Sequence, residues 1–229
     1  MWNKKKPVKR PVFISIFLRG VFLYNVFIVK AKGVFMNFID MMKMRRSVYN
    51  LNNRLPVSED KVIEIIKDAV RYTPDAFNMK SQRVLVISGD KNQEFWNGVY
   101  NALVSITGGA VSRDRTDSFR AGFGTILYFY DKNVVDEYRK KFALYAENFD
   151  NWAMQSNAML QFAVWTALAS VGVGASLQHY NPVIDNMVRE KFNVPASWVL
   201  NAQMPFGGIA SVPEPKPSDD ISSRIIVKD

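Results

Sequence analysis

The stretch Asn151-Trp-Ala-Met-Gln-Ser-Asn-Ala-Met-Leu-Gln-Phe-Ala-Val-Trp-Thr-Ala-Leu-Ala-Ser170 is helical in composition and apolar nearly all round. A helix without a wide polar stripe must be covered on every side, so it predicts a central buried helix or a subunit interface. Three runs read as strands to pack around it: Arg83-Val-Leu-Val-Ile-Ser88, Thr125-Ile-Leu-Tyr-Phe-Tyr130 and Ser197 to Phe206. Helices and strands mix without strict βαβ alternation, which argues an α+β fold rather than a doubly wound sheet.

The neighbouring elements follow from caps and periodicity. A short apolar helix covers Phe38 to Met44, and Ser58 reads as the N-cap of a helix reaching Tyr72, with Val62, Ile65, Ile66 and Ala69 on one face. Pro74 to Ser81 is a polar loop. Asp90 is placed to cap a helix bearing Phe95, Trp96, Val99 and Leu103. Thr107 to Gly122, rich in Gly, Ser and Arg, is too long for a simple connection and reads as a functional loop. A helix follows over Val134–Ala146, and Asn181-Pro182 opens another with Pro at its first position. Gly172 to His179 is a glycine-containing strand or turn, and Gly207-Gly208 is expected to break the last long strand. Pro213-Glu-Pro-Lys-Pro217 is a stiff linker, and Arg224 to Lys228 is strand-like.

Composition narrows the chemistry. At 229 residues and 48% hydrophobic content the chain can bury one sizeable core, as one domain or a compact pair. Its formal charge of +9 is concentrated in residues 1–35, which hold eight basic residues and no acidic one. Taking those eight from the total of 30 leaves 22 basic against 21 acidic residues, so the body is nearly neutral. No basic stripe interleaved with aromatics runs through it, which argues against nucleic-acid binding. Cysteine is absent, and His179 is the only histidine, so thiolate chemistry and Cys-based metal sites are excluded and His-rich centres are unsupported. Redox chemistry would have to come from a cofactor.

Residues 1–35 admit separate readings. A basic start precedes an apolar run from Val12 to Val29, which reads as a membrane anchor. Against this, Arg19 near its middle would cost about 2.5–3.5 kcal/mol at a bilayer centre. No A-x-A-like cleavage site follows. Alternatively Lys32-Gly33-Val34 is compatible with the codons AAA-GGA-GUN, a ribosome-binding sequence just ahead of Met36. On that reading residues 1–35 are an N-terminal extension outside the native protein, and residues 36–229 are the working domain.

Several constellations could carry chemistry. Arg45-Arg46-Ser47 joins a fork of fixed positive charge to a hydroxyl, which suits a phosphate monoester. A basic pair at a helix end facing solvent is the plainer alternative. In the loop Pro74-Asp-Ala-Phe-Asn-Met-Lys80, Asn78 offers a donor and an acceptor to an imide-like ring edge, and Lys80 could steady an anion. A turn-forming Asn beside a solvent-facing Lys fits that loop equally. Gln178-His179-Tyr180-Asn181 holds the lone histidine without an evident orienting carboxylate, so a packed, hydrogen-bonded loop histidine is expected rather than a general base. Gly122/Gly124 and Gly172/Gly174 do not continue into a dinucleotide fingerprint and read as close backbone packing.

Four of these strings together resemble a family: Arg45-Arg46-Ser47-Val48-Tyr49, Pro74-Asp-Ala-Phe-Asn78, Gly122-Phe-Gly-Thr-Ile-Leu-Tyr-Phe129 and Gly174-Ala-Ser-Leu-Gln-His-Tyr-Asn-Pro182. They are similar to the FMN-dependent nitroreductases, within them the fatty-acid-repression-mutant-like, hydroperoxide- and copper-responsive branch. The resemblance runs from about Met36 to Lys228. It implies an α+β nitroreductase-like fold, a mostly antiparallel central sheet flanked by helices, in a domain-swapped homodimer with FMN at both subunit interfaces.

On this resemblance Arg45 and Ser47, with Arg46 alongside, would hold the FMN phosphate and ribityl chain, joined by Arg224 from the tail. Asn78 and its loop, with Phe77, would reach the isoalloxazine from the other subunit. Gln178 and His179 fall where the family places backbone near flavin N5 and the pyrimidine edge. Lys80 stands where a Gln is common, and Tyr49 where the enterobacterial branch has Lys, so both bear on the ring contacts and substrate preference. The implied activity is NADH- or NADPH-dependent reduction of nitroaromatics or quinones by ping-pong hydride transfer at flavin N5, without a catalytic side chain. The implied setting is cytoplasmic stress defence. A flavin-binding regulatory protein with little turnover, influencing redox or lipid responses, is the alternative expectation; a membrane-anchored version using residues 12–29 is a third.

Overall fold

Strand β3 (Gly124–Asp131) organises the layers, because its alternation sends Ile126 and Tyr128 to one face and Leu127 and Phe129 to the other, all fully buried. The structure is a computed structural model that describes residues 37–228, so both readings of residues 1–35 lie outside the described residues. β2 (Gln82–Ser88) pairs with β3 antiparallel, from Gln82 opposite Tyr130 to Ser88 opposite Gly124. β5 (Trp198–Ile209) lies antiparallel on the other side of β3. Two short strands, β1 (Leu51–Asn52) and β4 (Gly174–Ala175), also pair with β5 antiparallel. The order β1-β5-β3-β2, with β4 against β5, confirms the α+β class and the antiparallel sheet.

Helices cover both faces. On one, α2 (Glu59–Tyr72) and α6 (Phe149–Ser170) bring Val62, Ile66, Leu160, Val164 and Leu168 onto Ile126 and Tyr128. On the other, α3 (Gly89–Thr107), α4 (Asp114–Arg120) and α7 (Asp185–Phe192) supply Phe95, Trp96, Val99, Phe119 and Val188 against Leu127 and Phe129. α1 (Phe38–Met44) packs on α6 through an edge contact of Phe38 with Phe162, and α5 (Lys132–Lys141) lies near the N-terminal end of α6, its Val135 clustering with Phe149 and Ala153. Among the described residues no helix is long and apolar enough to cross a membrane.

The polar residues of α6 have a structural task. The β3–β5 register slips between Tyr128 and Phe129, leaving Asn201 as the extra residue of a bulge. Buried Asn157 donates to the Phe129 carbonyl (2.8 Å) and accepts from Asn201 (3.1 Å) and Gln161 (2.7 Å). The disrupted ladder is thus satisfied from the helix above it, as buried polar groups require.

Several boundaries differ from the sequence reading. α6 is central, and within one chain only Met154 and Met159 among its large hydrophobics stay exposed, which leaves the subunit-interface reading open for that face. Ser88, not Asp90, precedes α3; Asp90 is its second residue, where its charge favours the helix dipole. Thr107 to Gly122 is not a continuous loop, since α4 lies within it. The helix expected over Val134–Ala146 ends at Lys141 and gives way to a 3₁₀ stretch, Ala143–Asn148. Asn181 and Pro182 belong to a turn closed by Asp185 N donating to Pro182 O (3.1 Å), and α7 starts only at Asp185.

Gly207 and Gly208 remain inside β5. A Cβ on Gly207 would strike Asn52 O and Phe123 N, and one on Gly208 would strike Arg54 O, so both are needed for close backbone approach. Gly122, Gly124 and Gly174 are likewise hemmed in, as expected, whereas Gly172 makes only ordinary contact with Pro56 (3.7 Å) and is required instead by its φ of +80°. The tail forms no strand: Ser222–Arg224 is a 3₁₀ turn, and Ile225 onward is exposed.

Candidate functional site

α1 stops at Met44, and Arg45 turns into extended conformation with its N–H still bonded to Met41 O (3.2 Å). The chain then runs beside β4, where Ser47 pairs with Ala175 in a parallel bridge. One carbonyl fixes this arrangement. Ala175 O accepts from Val48 N (2.9 Å) and from Trp165 Nε1 (3.1 Å), tying the triplet, α6 and β4 together. Trp165 also serves as a platform, with the Arg45 guanidinium 4.2 Å from its ring centre.

The electrostatics of the pair are unfavourable as they stand. Burial, and then the neighbouring Arg46 charge, lower the pKa of Arg45. Arg46 donates to Glu214 O and so holds the proline-rich linker, while its Nε is buried without a hydrogen-bond partner. Two adjacent partly buried guanidiniums, one with an unused donor, fit a dianionic phosphate.

Tyr49 lies two residues beyond Ser47 and is partly exposed. The Arg115 guanidinium sits 4.1 Å from its ring centre, and the Ser118 hydroxyl donates to its carbonyl. Gln178 exchanges both backbone hydrogen bonds with Gln203 (2.7 and 2.9 Å) and donates from Nε2 to Ser176 Oγ (3.1 Å). With Ser176 adjacent to Ala175, Gln178 belongs to the same corner as the triplet. His179 is exposed, not packed as expected. Tyr180 is anchored through its N–H to Gln203 Oε1 (2.8 Å), and burial raises its phenol pKa against an opposing pull from Arg115.

Phe77, Asn78 and Lys80 form a second group. All three have positive φ (53°, 53° and 56°), a conformation Asn tolerates but that is costly for Phe and Lys, and such strained residues cluster at functional sites. Asp75 holds the loop by accepting from Ser81 N (2.6 Å) and Ser81 Oγ (2.8 Å). Phe77 packs on Phe142 (4.6 Å between centres), Phe149 (5.3 Å) and Trp152 (5.7 Å) yet stays exposed on its other side, as do Asn78 and Lys80.

Within one chain the groups do not meet. Trp152 and Trp165 are thirteen residues apart on α6, roughly 20 Å at the helical rise. Arg224 does not join the triplet either; it is exposed and pairs with Asp219 at 3.8 Å. Two contributors escaped the sequence reading. Trp165 was legible only as core, and Arg115 lay in the stretch read as a functional loop, with nothing to single it out from its arginine neighbours.

The nitroreductase family model matches residues 42–208, and the chain belongs to this family. It is an oxidoreductase of nitroreductase type. Among solved structures, nitroreductase CinD from Lactococcus lactis in complex with nicotinic acid is 42% identical, with TM-score 0.80, covering 84% of this chain and all of that one. CinD has also been solved with chloramphenicol and with 4-nitrophenol. Nitroreductase FRM2 of Saccharomyces cerevisiae is 31% identical over 183 residues, 79% of this chain and 92% of the yeast protein, in keeping with the branch named above.

Proposed function

We propose that residues 36–229 form an FMN-containing, NAD(P)H-dependent reductase of nitroaromatics and quinones, working as a homodimer. The observation that carries this reading is the Arg45–Arg46 pair: adjacent, partly buried, mutually repelling, and holding an unused buried donor. A phosphate monoester relieves all of these at once. Arg45, Arg46 and Ser47 would hold the FMN phosphate and ribityl chain, and Gln178 and His179 would lie toward the ring. When bound, FMN supplies hydride transfer between nicotinamide and acceptor, which this chain, without cysteine and with one histidine, does not supply itself.

The dimer is supported by the separation along α6. The Phe77–Lys80 loop cannot serve the triplet of its own chain, so a second copy would bring Asn78 and Lys80 to the ring. Nitroaromatic acceptors are supported by the 4-nitrophenol and chloramphenicol complexes of CinD. Donor and acceptor occupying one site beside the flavin in turn would give ping-pong kinetics. Stress defence in the cytoplasm is the setting the family resemblance implies.

The test is the visible spectrum of the purified protein, followed by steady-state oxidation of NADH and NADPH with 4-nitrophenol and with a benzoquinone. Flavin absorption bands and parallel double-reciprocal lines are expected. A protein that stays colourless after incubation with FMN overturns the proposal. A yellow protein that accelerates oxidation of neither nucleotide replaces it with the flavin-binding regulatory alternative.

A further inference from the structure

α4 and its N-cap carry three arginines, and two of them share one carboxylate. Asp117 Oδ1 meets Arg113 Nε at 3.5 Å and Arg120 Nη2 at 3.3 Å. Among the described residues no carboxylate pairs with Arg115. Its guanidinium instead lies over Tyr49, and its field reaches the phenol of Tyr180, beside exposed His179. An unpaired cation thus lies over one aromatic side chain of the candidate site, Tyr49, close enough for its charge to act on a second, Tyr180.

The helix carrying that cation is fixed from both sides. Toward the site, Ser118 bonds the Tyr49 carbonyl. Toward the core, Asn92 Nδ2 donates to Phe119 O (3.4 Å) and Arg120 O (3.3 Å), while Asn92 Oδ1 accepts from Thr125 Oγ1 (2.6 Å). Thr125 Oγ1 in turn accepts from buried Trp96 Nε1 (2.9 Å). A guanidinium stacked by its face on a ring keeps its N–H edge available, and that edge matches a carboxylate in a bidentate way.

We infer that Arg115 is a specificity-determining residue that favours acceptors bearing an anionic group on an aromatic ring, aromatic carboxylates above all. This rests on the reductase reading and names its substrate class. The ring of such an acceptor enters beside Tyr49 and Tyr180, and its carboxylate meets the edge of Arg115. The preference sits in binding, hence in KM rather than kcat. A phosphate of the nicotinamide donor offers similar chemistry, and the experiment separates the two.

The test compares kcat/KM for 4-nitrobenzoate and its uncharged counterpart 4-nitrobenzamide in the wild-type flavoprotein, R115A and R115K. Equilibrium binding of benzoate and benzamide is measured alongside. The wild type is expected to favour the anion about tenfold in both measurements, as one charge-assisted pair allows. R115A loses the preference, and R115K recovers part of it.

A wild type without preference, or an unchanged preference in R115A, overturns the inference. So does an R115A effect confined to NADPH relative to NADH, which would assign the cation to the donor. If neither nitro compound is turned over, the binding pair decides alone. An Arg115-dependent benzoate preference upholds the anion site while the reductase reading falls; equal binding of benzoate and benzamide ends the inference.

Discussion

Arg45 is poised between two environments that work against each other. Trp165 covers one face of its guanidinium, while burial and Arg46 disfavour its charge. Replacing it with Ala removes a charge-assisted contact to a bound phosphate, a loss of about 1.5–3 kcal/mol. FMN affinity is therefore expected to fall by roughly ten- to a hundredfold, read from flavin fluorescence on dilution. The flavin-free protein is expected to behave oppositely, because R45A relieves repulsion on Arg46; its melting temperature holds or rises. R45K, which keeps the charge and loses the planar fork and stack, should fall between. Retention of full FMN occupancy by R45A on dilution would show that the phosphate lies elsewhere. The triplet could be seen in the sequence because two arginines and a hydroxyl are contiguous. Trp165 could not, because its role depends on Ala175 O, ten residues away and shared with Val48.

At the scale of elements, the same residue type has opposite worth in two places. Gly207 lies where a Cβ would run into the backbone of Asn52 and Phe123, so Gly207→Ala forces β1 off β5. About 1–3 kcal/mol of lost stability is expected, as for other overpacked sites. Gly98, inside α3, faces only the flexible thioether of Met187 at 3.0 Å. Gly98→Ala gains up to about 1 kcal/mol of helix propensity against a small rearrangement of that side chain. Urea titrations of both variants check the contrast, and equal destabilisation of the two would refute it.

The pair also shows why some elements were legible. α2 announced itself through Ser58, whose side chain accepts from Lys61 N, and through apolar residues at helical spacing. α4 buries only Thr116 and Phe119, too few for a period, and its end is held by Asn92 from another helix. Glycine in Gly207-Gly208 was read as a local breaker, whereas the neighbouring strand decides its role. β3 was legible as a strand from its own run of β-branched and aromatic residues, whereas its antiparallel pairing depends on its neighbours.

The whole molecule leaves its C-terminal segment unaccounted for within one chain. Ile226 and Val227 are 83% and 81% exposed, and Ile221 and Ile225 are also open to solvent. None of the hydrophobic clusters draws on residues beyond Phe206. Exposed apolar segments of this kind mark interaction surfaces. Phe38, Ile39 and Met42 on α1, with Met154 and Met159 on α6, add a second exposed apolar area. If two copies associate by exchanging tails over such surfaces, the tail contributes to assembly and hardly to the core. Deleting residues 219–229 is therefore expected to leave the far-ultraviolet circular dichroism and the cooperativity of unfolding largely intact. The light-scattering mass at micromolar concentration should drop from two chains to one, and FMN should be lost with it, because the Phe77–Lys80 loop of a second copy no longer reaches the triplet. A truncated protein that remains a flavin-loaded dimer would confine the assembly surface to α1 and α6. One that unfolds outright would show that the tail supports the core of its own chain, against the burial pattern seen here.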